Sequence, residues 1–147
     1  MAKRITDKTP AKLVQTELED IIIHSRDFSK KLMELLKKHD IDIAGERKAT
    51  VEALRIIMQP WIIEIIHTLF IFGPLRFNDI TRHLRGISSR TLTSKLRLLE
   101  DAGFIKREVI SERPTIAEYG LTEKGKTIAE LSCPIICYLK LENLKVE

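Results

Sequence analysis

Eight of the ten residues from Ser88 to Arg97 carry a hydroxyl or a cationic group. The chemistry open to such a set is the holding of a polyanion and the reading of hydrogen-bonding edges. An arginine grips guanine through two parallel N–H donors, serine and threonine read several base edges, and a helix amino terminus favours a phosphate. Ser88, Ser89, Arg90, Thr91 and Ser94 stand where a helix entering a major groove about 12 Å wide first meets the bases. Arg90 and Arg97 are the strongest candidates for base contacts, and Lys95 is a candidate for a phosphate. Arg113 is placed to enter a minor groove, Arg107 to touch the nucleic-acid backbone, and Arg76 adds a further cation ahead of them.

Those side chains need a helix with a buried stripe on its other face. Leu92, Leu96 and Leu99 supply the stripe, which leaves Ser89, Arg90, Thr91, Thr93, Ser94 and Arg97 outside or at its edges. Ser88 or Ser89 caps the helix and Gly103 ends it after about Ala102. Before it, Asn78 is expected to cap a helix from Asp79 to about Leu84, and Gly86 turns the chain with Ile87 buried in the turn. Two helices joined by a short glycine turn form a helix-turn-helix. After it, Phe104 to Ile110 reads as a strand, Ile116 to Leu121 as its hairpin partner, and Ser111 to Thr115 as a wing.

The rest of the chain reads as helices. From Leu13 to His39, Val14, Leu18, Ile21, Phe28, Leu32 and Leu35 recur at alternating spacings of three and four, with Ser25 filling the gap, which is a heptad seam suited to pairing with a second copy. Asp40 to Glu46, with Gly45, reads as a loop. A helix from about Arg47 to Met58 follows, then one with Pro60 in its first turn that carries Trp61, Ile62, Ile65, Ile66, Leu69 and Phe70, ended by Gly73-Pro74 and a short extended piece at Leu75-Arg76-Phe77. Thr122 caps the last helix, which Pro134 should break or kink near Ser132 before it resumes from Ile135 to about Leu144.

Composition narrows the function classes. The chain has 147 residues, 44% hydrophobic and 31% charged, enough apolar content to fold as one globular unit with an appendage. Between Leu75 and Arg113 nine Lys/Arg face five acids, so this segment alone equals the chain's net charge of +4. A local excess of this kind suits a polyphosphate partner. No apolar run reaches the ~18 to 20 residues that span a bilayer, and Met1-Ala2-Lys3-Arg4 is not followed by a signal-peptide core, so the expected place is the cytoplasm. Two Asn, two Gln and an excess of Ile and Lys point to a thermophilic source. A glycine-rich phosphate loop, an H-E-x-x-H pair and a nucleophile elbow are all missing, so the chain is not expected to be an enzyme. His24, His39, His67 and His83 are scattered, and Cys133 and Cys137, four apart, fall short of a metal site without nearby His or Asp. The two cysteines read as small apolar residues at a dimer interface, with a metal or redox pair as the alternative, and no metal and no cofactor is expected.

The order helix, short strand, helix, turn, helix, hairpin, helix resembles the HxlR family of bacterial and archaeal winged-helix regulators, relatives of the MarR type. The resemblance covers about Ala53 to Ile128. It rests on Trp61, on Gly73 to Ile80, on Gly86 to Thr93, on Leu96 with Leu99 to Arg107, and on Pro114 with Tyr119 to Gly125. It implies a dimeric repressor or activator with the Ser88 to Ala102 helix in the groove and the Ser111 to Thr115 wing beside it. Two departures stand out: the place of many members' reactive Cys-Pro pair falls near Lys48-Ala49 here, with no cysteine present, and their Gly-Lys before the tryptophan is Gln59-Pro60. The Leu13 to His39 helix is an extension beyond the family core.

The sequence therefore predicts a mainly α protein with a small β-hairpin, a winged helix-turn-helix with a long N-terminal helix and a C-terminal dimerisation helix. Residues 1–46 form the extension and 47–147 the DNA-binding domain. The expected partners are double-stranded DNA carrying an inverted repeat, a second copy of the chain, and a small-molecule effector held between apolar helices. The competing reading is a winged-helix protein-interaction module within a transcription or chromatin assembly.

Overall fold

The computed structural model describes residues 8–144. The Met1 to Arg4 segment, on which the expected location partly rests, lies outside them. In chain order the elements are α1 (Lys8–Lys38), α2 (Ile43–Leu54), α3 (Ile62–Phe72), β1 (Leu75–Arg76), α4 (Phe77–His83), α5 (Ser89–Asp101), β2 (Ile105–Glu112), β3 (Thr115–Leu121) and α6 (Glu123–Leu144). The fold is mainly helical with one small antiparallel sheet, as expected, and the sheet order is β1-β3-β2.

The chain divides into two compact units, one of Met1–Lys48 with Leu131–Glu147 and one of Ala49–Glu130. The second unit holds the core. Ile62, Ile65, Ile66 and Leu69 of α3 pack with Ile80, Leu84, Ile87, the α5 stripe Leu92, Leu96 and Leu99, and Phe104, Ile105 and Ala129. Each large aliphatic side chain so buried stabilises the unit by roughly 1.5–3 kcal/mol. In the first unit Leu18 is the buried side chain of α1, while Ile21, Phe28, Leu32 and Leu35 of the heptad seam stay exposed, Phe28 at 67%.

Several boundaries differ from expectation, each for a local reason. α2 begins at Ile43 because Asp42 caps it: the side chain accepts from the backbone N–H of Ala44 and of Gly45, both at 3.0 Å. Gly45 is thus inside a helix rather than in a loop, and α2 ends at Leu54 instead of Met58. Pro60 sits in the turn before α3, where Trp61 adopts a left-handed conformation (φ 71°) and its carbonyl accepts the N–H of Ile65 at 3.0 Å. Phe70, one of the apolar residues this helix carries, is 41% exposed. α4 starts at Phe77 with Arg76 as N-cap, so Asn78 is a helical residue and caps nothing. The hairpin is tighter than a five-residue wing: β2 and β3 run to Glu112 and from Thr115, with Arg113-Pro114 between them. α6 runs through Pro134 unbroken. A proline removes its own N–H bond to the carbonyl four residues back, and the bonds of the turns on either side carry the helix across.

Candidate nucleic-acid interface

Four local devices hold α5. Gly86 (φ 96°) turns the chain and Ile87 is buried in the turn. Ser88 caps the amino end, its Oγ accepting from the Thr91 N–H at 3.1 Å and donating to Thr91 Oγ1 at 2.8 Å. Leu92, Leu96 and Leu99 anchor the inner face. At the carboxyl end Gly103 (φ 76°) reverses the chain, Lys124 Nζ donates to the Ala102 carbonyl at 2.7 Å, and Thr122 Oγ1 donates to the Gly103 carbonyl at 2.6 Å. Lys124 also lies 4.3 Å from the centre of the Phe104 ring. The start of α6 approaches so closely that a Cβ on Gly125 would meet the Phe104 carbonyl oxygen at 2.1 Å.

The outer face of α5 borders an open depression of about 620 Å³, lined by Ser89, Arg90, Thr93, Ser94, Arg97, Leu98 and Asp101. Arg90 and Arg97 are exposed, and neither guanidinium has a protein partner among the described residues. A guanidinium left open keeps its full fork of donors for a ligand. The hydroxyls divide into two groups. Ser88 and Thr91 are spent on the cap and Thr93 Oγ1 donates to the Ser89 carbonyl at 2.8 Å, whereas Ser89 and Ser94 present exposed hydroxyls. Lys95 is half-buried, and its Nζ donates to Gln59 Oε1 at 2.8 Å.

The wing places the remaining cations. Arg113 is exposed at the hairpin tip, and Arg107 is exposed on β2 opposite Tyr119 of β3. Arg76 of β1 lies opposite Glu118, and its Nε stands 3.8 Å from a Glu118 carboxylate oxygen, so part of its charge is balanced. In the helix-turn-helix Arg82 pairs with Asp79, and beside them His83 stacks on Phe72 with ring centres 4.0 Å apart. Among the described residues no group of three or more His, Cys, Asp or Glu could hold a metal ion. Burial raises the Cys137 thiol pKa, the Cys133 thiol adds to the effect, and Lys140 opposes it.

Sequence reasoning missed the partners that hold this surface: Gln59 for Lys95, Glu118 for Arg76, and Thr122 with Lys124 for the end of α5. Only the Thr122 cap left a signal, since the N–H of Gly125 donates to its Oγ1 at 3.2 Å in the expected way. The other partners are ordinary polar residues, and nothing in the sequence separates them from solvated ones.

Residues 56–140, from the turn before α3 into α6, match the HxlR-like helix-turn-helix family. The chain belongs to that family. Its HxlR-like region is similar to the HTH-type transcriptional regulator YvaP of Bacillus subtilis, 39% identical over 80 residues that make up 54% of this chain and 73% of YvaP. An HTH-type transcriptional regulator of Methanothermobacter thermautotrophicus is 52% identical over 56 residues, 38% of this chain and 43% of that protein. Among solved structures, the reduced form of the transcriptional regulator YodB from B. subtilis superposes with a TM-score of 0.54 at 32% identity, covering 59% of this chain and 84% of YodB. The HxlR-like family and these relatives are DNA-binding transcription regulators rather than enzymes, and that is the class of this chain. Lys48 and Ala49, near which the resemblance places the family's Cys-Pro pair, lie within α2. No helix among the described residues is long and apolar enough to cross a membrane.

Proposed function

We propose that the chain is a sequence-specific regulator that acts as a homodimer, with α5 in the major groove and the Arg113-Pro114 wing at the adjacent minor groove or backbone. The observation that carries this reading is the pair of unpartnered guanidiniums, Arg90 and Arg97, on the exposed face of a helix whose other face is locked into the core. Arg90, Ser89 and Ser94 read bases, and Arg97 follows them along the groove. Ser88 and Thr91 hold the helix end that faces a phosphate. Lys95, Arg76 and Arg107 serve the backbone, and Arg113 serves the minor groove.

A dimer is supported by Ile21, Phe28, Leu32 and Leu35, a heptad stripe that one chain leaves open to water. Two-fold symmetry of the protein then asks for an inverted repeat whose half-sites lie roughly 34–36 Å apart. A small-molecule effector belongs to the same reading, in the apolar groove of about 420 Å³ that Leu18, Ile21 and Ile22 share with Ile135, Tyr138 and Leu139. The expected place of action is the cytoplasm, where the DNA is.

The test is selection from a pool of random duplex DNA at physiological salt, followed by sequencing. Enrichment of a short inverted repeat is the expected result. Binding without enrichment replaces specific regulation by an architectural role, and absence of binding favours the protein-interaction module.

A further inference from the structure

Two sulfur atoms on α6 stand outside the DNA-binding reading. Cys133 and Cys137 are both free thiols, the first exposed and the second half-buried. Four residues apart on an unbroken helix, they lie one above the other on one face, with Cβ atoms about 5–6 Å apart. The structure carries α6 past Pro134 without a break, so the two thiols share that face. Lys140, one turn further on, is the neighbouring positive charge that acts on Cys137.

The chemistry of the pair follows from what is near it. A structural zinc site needs four ligands in a tetrahedron, and among the described residues no third His, Cys, Asp or Glu joins these two sulfurs. Hard cations want oxygen and are excluded by the donor type. Soft thiolates alone select a soft ion, with copper(I) foremost among them. A filled d shell lets such an ion accept two ligands in a line, and each side chain has only to turn its sulfur towards the space between the two Cβ atoms. We infer that Cys133 and Cys137 form a two-coordinate thiolate site for a soft monovalent cation, copper(I).

Loading is an exchange of protons for metal with no change of oxidation state. Two S–H bonds break, two S–Cu bonds form, and two protons pass to solvent. The product Cys–S–Cu–S–Cys unit carries one negative charge, which the Lys140 ammonium offsets. No oxidant or reductant takes part. The site lies on the part of α6 that belongs to the first unit, so it does not depend on the DNA reading.

The experiment titrates the reduced full-length chain, without oxygen, against the copper(I)–bicinchoninate complex and follows the loss of that complex's colour. Withdrawal of one copper per chain is expected, with two sulfur neighbours in copper-edge X-ray absorption of the loaded parent protein. C133S and C137S should each lose the uptake while keeping the parent's helical circular dichroism, and zinc(II) should not be retained by the parent. Failure to withdraw copper, uptake undiminished in both serine variants, or three or more sulfur neighbours each overturns the site. Because no DNA is present, the outcome is independent of the random-duplex selection.

Discussion

Lys95 Nζ donates to Gln59 Oε1 at 2.8 Å, a bond between residues 36 positions apart that ties the outer edge of α5 to the turn before α3. Arg90 and Arg97 on the same helix have no such tether among the described residues. The three cations of α5 are therefore not equivalent, although their spacing in the sequence makes them look so.

Arg90→Ala should cost about 1–3 kcal/mol on the preferred DNA and relax the sequence preference at one position, because a bidentate contact to a base edge is lost. Lys95→Ala should weaken all duplexes alike. Competition binding on matched and single-mismatch DNA separates them, and equal losses on every DNA for both variants would reject the assignment.

Gln59→Ala releases Lys95 from its tether. If Lys95 serves a phosphate, the freed ammonium should steepen the salt dependence of binding by up to ~0.9 in the slope of log K against log salt. Titrations over a series of salt concentrations check this. An unchanged slope would mean that Lys95 reaches the backbone equally well with Gln59 in place, or never.

Ser88→Ala removes the side-chain acceptor for the Thr91 N–H and should destabilise the fold by about 0.5–2 kcal/mol in urea unfolding. Ser88→Asp keeps a capping oxygen and should retain most of the stability, yet it sets a negative charge where DNA phosphate is proposed to lie. Retained stability with lost DNA binding is the expected combination. DNA affinity retained in Ser88→Asp would place the helix end away from the phosphates, and loss of stability in both variants would count against a cap that any side-chain oxygen can supply.

Gly125→Ala should destabilise the protein although it adds a better helix former. The gain from alanine is roughly 0.5–1 kcal/mol, whereas the new Cβ would sit 2.1 Å from the Phe104 carbonyl oxygen, a backbone atom that cannot swing aside. A net loss of about 1–3 kcal/mol is expected from such overpacking. A midpoint in urea at or above that of the parent protein would contradict the close approach.

Phe28→Glu together with Leu32→Glu should convert a dimer to a monomer in analytical ultracentrifugation, since both side chains are exposed on the heptad stripe and contribute nothing to the core of the Ala49–Glu130 unit. Thermal unfolding of that core should change little. A dimer that survives both substitutions pairs through another surface.

Helix α5 was legible from the sequence because every signal for it is local. Ser88 and Gly103 lie at the ends of α5, the leucine stripe repeats at helical spacing, and the polar residues fall on the remaining face by simple rotation about the axis. The same holds for the long α1 and for the β2–β3 hairpin, whose boundaries moved by only a few residues. Local rules also misled where two of them competed. Gly45 reads as a breaker, but Asp42 satisfies the N–H groups that a helix start leaves open, and the cap prevailed. Pro134 reads as a stop, but it removes one hydrogen bond from a helix of 22 residues, and the neighbouring turns keep theirs.

The amino-acid sequence by itself determined which face of α5 is buried, which face is offered outward, and which cations that outward face carries, since periodicity is a property of the chain. Only the tertiary structure decided which of those cations are left open. Gln59 claims Lys95, Glu118 balances Arg76, and Lys124 and Thr122 of the α6 start take the last carbonyls of the α5 end. Each of these is a bond of a few ångströms between residues far apart in sequence, and such a bond has no period for a sequence to display.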